Sequence, residues 1–88
     1  MPHTDELSLA LLRARRKYRV DLTPQVAERL ITRVGHRYRT GQSFKDALDA
    51  VMNRVEWPHY PTRLAYRQVI SAILGRRGGF AAVKKRVA

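Results

Sequence analysis

The stretch TPQVAERLITRVGHRYRTG, residues 23–41, decides the fold class of this chain. Its apolar residues recur at the three- and four-residue spacing of a single helix face: Ala27, Leu30, Ile31, Val34 and Tyr38. Thr23 is a favoured N-cap residue, and Pro24 suits the first helical position because its missing N–H is not needed there. Gly41 is a residue at which a helix commonly ends. The stretch therefore predicts an amphipathic helix with both ends defined.

The same spacing continues on both sides of this segment. We predict three further helices: residues 4–19 with Thr4 as N-cap, a segment that begins after Ser43 and stops before Pro58, and a segment that begins after Thr62 and ends at the GRRGG run of residues 75–79. The intervening WPHYPT contains two prolines and predicts a connector whose Trp57 and Tyr60 lie over the core. The chain is thus predicted to be all-α, a small bundle of four helices.

Residues 1–79 form a single helical domain in this prediction, because 88 residues suffice for one small core. The remaining residues, 80–88, combine apolar residues at helical spacing with the basic run Lys84, Lys85 and Arg86. They predict either a short fifth helix or a basic C-terminal tail. A core of this size is marginally stable alone, so a homodimer or a bound partner is an alternative way to complete it.

The chain contains no cysteine, which excludes disulfide bonds and thiolate metal ligands. Its N-terminal residues include acids and only a short apolar run before Arg13. This pattern predicts neither a secretory signal peptide nor a membrane-spanning helix. We therefore expect a cytoplasmic protein without membrane contact.

The charge balance is strongly positive. Eighteen Lys and Arg residues against seven Asp and Glu residues give a formal net charge of +11 at pH 7. A positive field of this strength around a small chain attracts polyanions, and nucleic acid is the commonest polyanionic partner. The alternative explanation is that arginine serves solubility alone.

No residue pattern indicates catalysis or metal binding. His3, His36 and His59 are far apart and have no neighbours at metal-ligand spacing. Asp46 and Asp49 could pair as acid and base, but their place in the first turn of the third helix is explained better by the helix dipole. We therefore expect no cofactor, no metal site and no enzymatic activity, with a small ribonuclease or toxin as a remote alternative.

Three tyrosines, Tyr18, Tyr38 and Tyr66, have basic neighbours. Such rings can stack on unpaired bases, but each tyrosine also continues the apolar stripe of its own helix, and the core interpretation is preferred. The second and third helices fit a helix-turn-helix poorly, because Asp46 and Asp49 would face phosphates. Base readout by the third helix is therefore not expected.

If the four helices run alternately up and down, the ends of the first and third lie beside the starts of the second and fourth. On that layout basic residues outnumber Asp21, Glu28 and Glu56 at one pole of the bundle. The opposite end is nearly neutral, because its basic residues face four acids: Arg37, Arg39, Arg76 and Arg77 face Asp5, Glu6, Asp46 and Asp49.

The residues predicted to bind nucleic acid are those of the positive pole and the C-terminal basic run: Arg13, Arg15, Arg16, Lys17, Arg19, Arg54, Arg63, Arg67, Lys84, Lys85 and Arg86. The sequence favours a small basic helical protein that contacts the phosphates of DNA or RNA in a regulatory or architectural role. The main alternative is an adaptor or regulator whose basic surface docks an acidic protein. Charge alone does not separate these two hypotheses.

Overall fold

The computed structural model describes the backbone of residues 2–76 and the side chains of residues 6–74. The described backbone forms four helices and contains no strand: α1 (Pro2–Tyr18), α2 (Pro24–Arg39), α3 (Phe44–Met52) and α4 (Tyr60–Arg76). The prediction of an all-α bundle of four helices is confirmed. The predicted fifth helix or basic tail, residues 80–88, lies outside the described residues.

The start sites of α2 and α3 agree with the sequence. Thr23 has the extended backbone of an N-cap residue (φ −111°, ψ 139°), and Pro24 follows it in the first turn, although the Thr23 side chain makes no capping hydrogen bond. At α3 the Ser43 Oγ accepts a hydrogen bond from the backbone N–H of Asp46 at 3.1 Å. A capping hydrogen bond therefore marks the start of α3, whereas α2 begins with an extended residue followed by a proline that suits the first turn.

The predicted N-caps of the other two helices are wrong. Thr4 lies within α1, which begins at Pro2, and Thr62 lies within α4, which begins at Tyr60. Both helices have a proline in the first turn, where a backbone N–H is not required, and this allows each helix to start before its threonine. At α4 the carbonyl oxygen of His59 accepts the N–H groups of Thr62 (3.1 Å) and Arg63 (3.4 Å).

The connector between α3 and α4 covers the core with one of its two aromatic rings. Trp57 is half-buried against the core, as predicted. Tyr60 was also expected to lie over the core, and this is wrong, because its side chain is 69% exposed. Tyr60 is the first residue of α4, on a turn that precedes the buried part of that helix.

The hydrophobic core receives apolar side chains from all four helices. Its largest fully buried members are Leu11, Val34, Met52, Val69 and Ile70. α1 packs chiefly against α4, and α2 packs against α3 and α4, whereas the consecutive pairs α1–α2 and α3–α4 touch sparingly. The first and last helices are therefore the main packing pair, and α2 with α3 is the one consecutive pair with extensive contact.

Tyr66 of α4 connects three separate parts of the chain. Its hydroxyl oxygen accepts a hydrogen bond from the backbone N–H of Thr23 at 2.8 Å. Its ring lies against that of Trp57, with 5.5 Å between the ring centroids. The Trp57 indole Nε1–H in turn donates to the carbonyl oxygen of Met52 at 2.8 Å. The loop before α2 and the connector after α3 are thereby both attached to α4.

We predict that Tyr66→Phe lowers the free energy of unfolding by about 1–2 kcal/mol, because the Thr23 N–H loses its acceptor while the ring packing stays. Urea denaturation measures the change. The matched control is Tyr60→Phe, which removes a hydroxyl from a side chain that is 69% exposed and should leave stability unchanged. Equal stabilities of the two variants would show that the Tyr66 hydroxyl does not stabilise the fold.

Two glycines are predicted to respond to alanine with opposite signs. Gly41 has a φ of 112°, in a region that favours glycine, so Gly41→Ala should cost about 1 kcal/mol. Gly35 lies inside α2, and an added Cβ there would meet nothing within 4 Å. Gly35→Ala should therefore stabilise the protein by about 0.5–1 kcal/mol. Thermal denaturation of both variants tests the signs, and a destabilised Gly35→Ala protein would contradict the helix assignment.

Candidate functional site

The C-terminal half of α1 and the residue after it present four exposed basic side chains, here named the α1 basic end: Arg13, Arg16, Lys17 and Arg19. Within the described part of the chain, the three arginines form no side-chain hydrogen bond or ion pair. The Lys17 ammonium lies 5.4 Å from the ring centroid of Tyr18. These cationic groups are therefore available to an anionic partner.

Arg19 adopts a backbone conformation that arginine rarely occupies. Its φ is 54°, in the left-handed region, and it is the one non-glycine residue with positive φ among those described. It directly follows α1, and its N–H donates to the carbonyl oxygen of Arg15 at 2.7 Å. Glycine is the usual residue at such a helix end, because it has no Cβ to clash with the backbone.

Arg15, which sequence analysis grouped with the binding residues, is half-buried and has an internal partner. Its Nη2 donates to the carbonyl oxygen of Leu22, in the loop between α1 and α2. Leu22 is itself buried in the core. Arg15 therefore contributes to holding this loop against α1, in addition to any contribution it makes to the surface charge.

Two further predicted residues, Arg63 and Arg67 of α4, also have partners in α3 or directly after it. The Arg63 Nη2 donates to the Asn53 Oδ1 at 2.9 Å. Arg67 forms an ion pair with Asp49, with 2.9 Å between Nη1 and Oδ1. The expectation that Asp49 and Arg67 lie at opposite ends of the bundle is therefore wrong. Asp49 was placed in the first turn of the third helix, but it is the sixth of the nine residues of α3 and lies beside the middle of α4.

A surface cleft between α2 and α3 brings together a second group of basic side chains. This α2–α3 cleft has a volume of about 540 Å³. Its lining residues come from α2 and from α3 with the turn after it: Thr32, Arg33, His36, Arg37, Arg39, Val51 and Arg54. No carboxylate belongs to this lining. The cleft therefore has a high density of positive charge without local compensation.

The α2–α3 cleft changes the predicted grouping of charges in two ways. Arg54 lines the cleft beside α2, whereas sequence analysis grouped it with the end of α1. Arg37 and Arg39 also line it, although they were expected to face acids. The sequence does indicate the contribution of α2 to this cleft, because Arg33 and Arg37 lie one turn apart on the same helix face. Nothing in the sequence placed Arg54 opposite them.

The three tyrosines lie mainly in or against the core. Tyr38 and Tyr66 are buried, with 8% and 5% of their surfaces exposed, which confirms the core interpretation for both. Tyr18 is half-buried and packs against the core under Lys17. Two of the three rings are therefore inaccessible to a nucleic-acid base.

The remaining candidate residues form no recognisable site. His36 lines the cleft, and His59 is exposed beside the start of α4. No group of three metal-ligating side chains exists in the described region, and no helix there has the length and apolar character needed to cross a bilayer. Lys84, Lys85 and Arg86 lie outside the described residues.

Comparison of the chain with known protein families, with curated proteins and with solved structures finds no match. Function must therefore be inferred from the chain's own side chains. Among the side chains of residues 6–74, the features that offer concentrated positive charge to a ligand are the α1 basic end and the α2–α3 cleft. Both offer hydrogen-bond donors and positive charge, which suits an acceptor-rich anion.

We predict that Arg15→Gln lowers the free energy of unfolding by about 1–2 kcal/mol, because it removes the charged donor to the Leu22 carbonyl oxygen. Arg16→Gln removes the same charge from an exposed neighbour and should change stability by less than about 0.5 kcal/mol. Chemical denaturation of the two variants measures the difference. Equal stabilities would mean that Arg15 acts only as surface charge.

Proposed function

We propose that this protein binds nucleic acid, DNA or RNA, through phosphate contacts made by its arginine-rich surface, in a regulatory or architectural role. Supporting this proposal, its 18 basic residues far outnumber its 7 acidic ones, and the arginines of the α1 basic end have no internal partners in the described region. Duplex nucleic acid carries about one negative charge per 1.7 Å of its axis, so several exposed cations can be matched at once.

The observation that carries the proposal is the identity of residue 19. A left-handed conformation costs an L-residue about 1–2 kcal/mol, and glycine would avoid most of that cost. The chain nevertheless has arginine there, where its side chain extends the positive surface of α1 beyond the end of the helix. Strain of this kind concentrates at functional positions, where side-chain identity matters more than stability.

The arrangement supports binding to the phosphate backbone more than base readout. Tyr38 and Tyr66 are buried, so they do not offer stacking surfaces. The first turn of α3, which would enter a groove in a helix-turn-helix, carries the exposed acid Asp46. Arginine contacts to phosphates fix the position of a protein on nucleic acid without reading its sequence.

The proposal is tested by fluorescence anisotropy with labelled duplex DNA, single-stranded DNA and structured RNA at several salt concentrations. With about four to six phosphate contacts, log K on duplex DNA should fall against log salt with a slope of roughly −4 to −5. Absence of binding to all three probes at low salt would refute the proposal. Binding to an acidic polypeptide instead would favour the adaptor alternative.

We predict that Arg19→Gly has opposite effects on stability and binding. Relief of the left-handed strain should raise the free energy of unfolding by up to about 1 kcal/mol. Loss of the guanidinium should lower the affinity for duplex DNA by about tenfold. Arg29→Gln is the control, because it removes one exposed charge from α2 without altering a strained backbone position. If both variants lost the same small amount of affinity, residue 19 would have no special role.

A further inference from the structure

We propose that the α2–α3 cleft is a second phosphate-binding site, which takes the sugar-phosphate backbone of the bound nucleic acid; this inference rests on the proposed function. Four arginines converge there from two elements: Arg33, Arg37 and Arg39 of α2, and Arg54 in the turn after α3. Of these four arginines, only Arg54 is among the residues that the sequence predicts to contact phosphates.

The cleft concentrates like charges without local neutralisation. Its lining contains no Asp or Glu, and Arg33, Arg39 and Arg54 form no side-chain hydrogen bond or ion pair within the described region. Neighbouring cations repel each other, and a shared concave surface raises the positive potential between them. A bound anion relieves this repulsion, so the arrangement is more favourable with an anionic ligand than without one.

The polar groups that line the cleft are mainly donors. Guanidinium groups have five N–H donors and no acceptor. The Thr32 hydroxyl already donates to the Glu28 carbonyl oxygen at 2.9 Å. The Arg37 Nη1 donates to the Gln42 Oε1 at 3.3 Å, and this bond holds the Arg37 side chain at the cleft wall. A phosphodiester offers acceptors only, and guanidinium pairs with it through parallel hydrogen bonds. The donor set therefore matches phosphate chemistry.

The lining also argues against recognition of bases. It contains no Phe, Tyr or Trp side chain, the imidazole of His36 is its one ring, and Val51 is its one apolar side chain. Tyr38, on the same helix as three of the arginines, is buried in the core. A base that entered the cleft would find only the small imidazole of His36, and none of the larger rings on which single-strand binders stack bases. The cleft should therefore bind the backbone of any sequence with similar affinity.

Two double variants separate this site from the general positive field. Arg33→Gln with Arg54→Gln removes two charges from the cleft, one from α2 and one from the turn after α3. The matched control, Arg29→Gln with Lys45→Gln, removes two exposed charges outside the cleft lining, one from α2 and one from α3. Both variants have the same net charge, and all four replaced side chains are exposed.

We expect the cleft variant to lose affinity for duplex DNA by about 50- to 100-fold near 0.1 M salt, and its salt slope to flatten by about two units, one per lost contact. The control should lose only a few-fold, since it weakens the long-range field alone. Circular dichroism verifies that both variants are folded. Should the cleft variant unfold, Arg33→Lys with Arg54→Lys retains the charge and should lose affinity without flattening the slope.

The outcomes separate the two proposals. No binding by the unaltered protein at low salt refutes nucleic-acid binding as a whole. Normal binding by the unaltered protein, with equal losses in the two double variants, refutes the cleft alone. Two further measurements test the ligand. Displacement of DNA from the unaltered protein by a mononucleotide at equal phosphate concentration would overturn the assignment to the sugar-phosphate backbone. A loss of polyglutamate binding in the cleft variant as large as its loss of DNA binding would overturn it as well.

Discussion

The hydrogen bond between the Thr23 N–H and the Tyr66 hydroxyl oxygen, at 2.8 Å, is the contact on which much of the arrangement depends. Thr23 precedes α2, so this bond attaches the start of α2 to α4. The Tyr66 ring also packs on Trp57, whose indole N–H donates to the last residue of α3, Met52. The Tyr66 side chain thereby links α4 to the loop before α2 and to the connector after α3.

This linkage also positions the two basic surfaces. Arg19 lies in the short loop that ends at Thr23, and Arg15 holds the same loop through the Leu22 carbonyl oxygen. Arg54 lies two residues after Met52, whose carbonyl oxygen accepts the hydrogen bond from the Trp57 indole N–H. Tyr66 thus attaches the loop that contains Arg19 directly, and it contacts the segment that contains Arg54 through the Trp57 ring.

The sequence predicted most of the secondary structure because the information is local. Apolar spacing, Pro24 and Ser43 identified α2 and α3 together with their starts. The starts of α1 and α4 were misplaced because a threonine was preferred over a proline as the boundary signal. In both cases a threonine and a proline each offered a plausible helix start, and the proline marks the observed one. Neither error changes the face that the helix buries.

The candidate site was less predictable, because charge pairing depends on which helices pack together. The sequence prediction assigned Asp49 and Arg67 to opposite helix ends, but both lie near the middle of their helices and form an ion pair at 2.9 Å. The cleft was not predicted either, because Arg54 is brought beside the arginines of α2 only by the packing of α3 against α2. Exposure of Arg13 and Arg16 was predictable, since they lie off the apolar stripe of α1.

The excess charge and the small size of the core are physically connected. A net charge of +11 on 88 residues opposes compaction by self-repulsion, and no disulfide offsets it. The chain keeps basic groups out of the core, where the described buried residues are all hydrophobic. A polyanion that binds only the folded form lowers this repulsion and adds its binding free energy to folding. On the proposed function, the arginines that weaken the isolated domain are thus the ones that stabilise it in the complex.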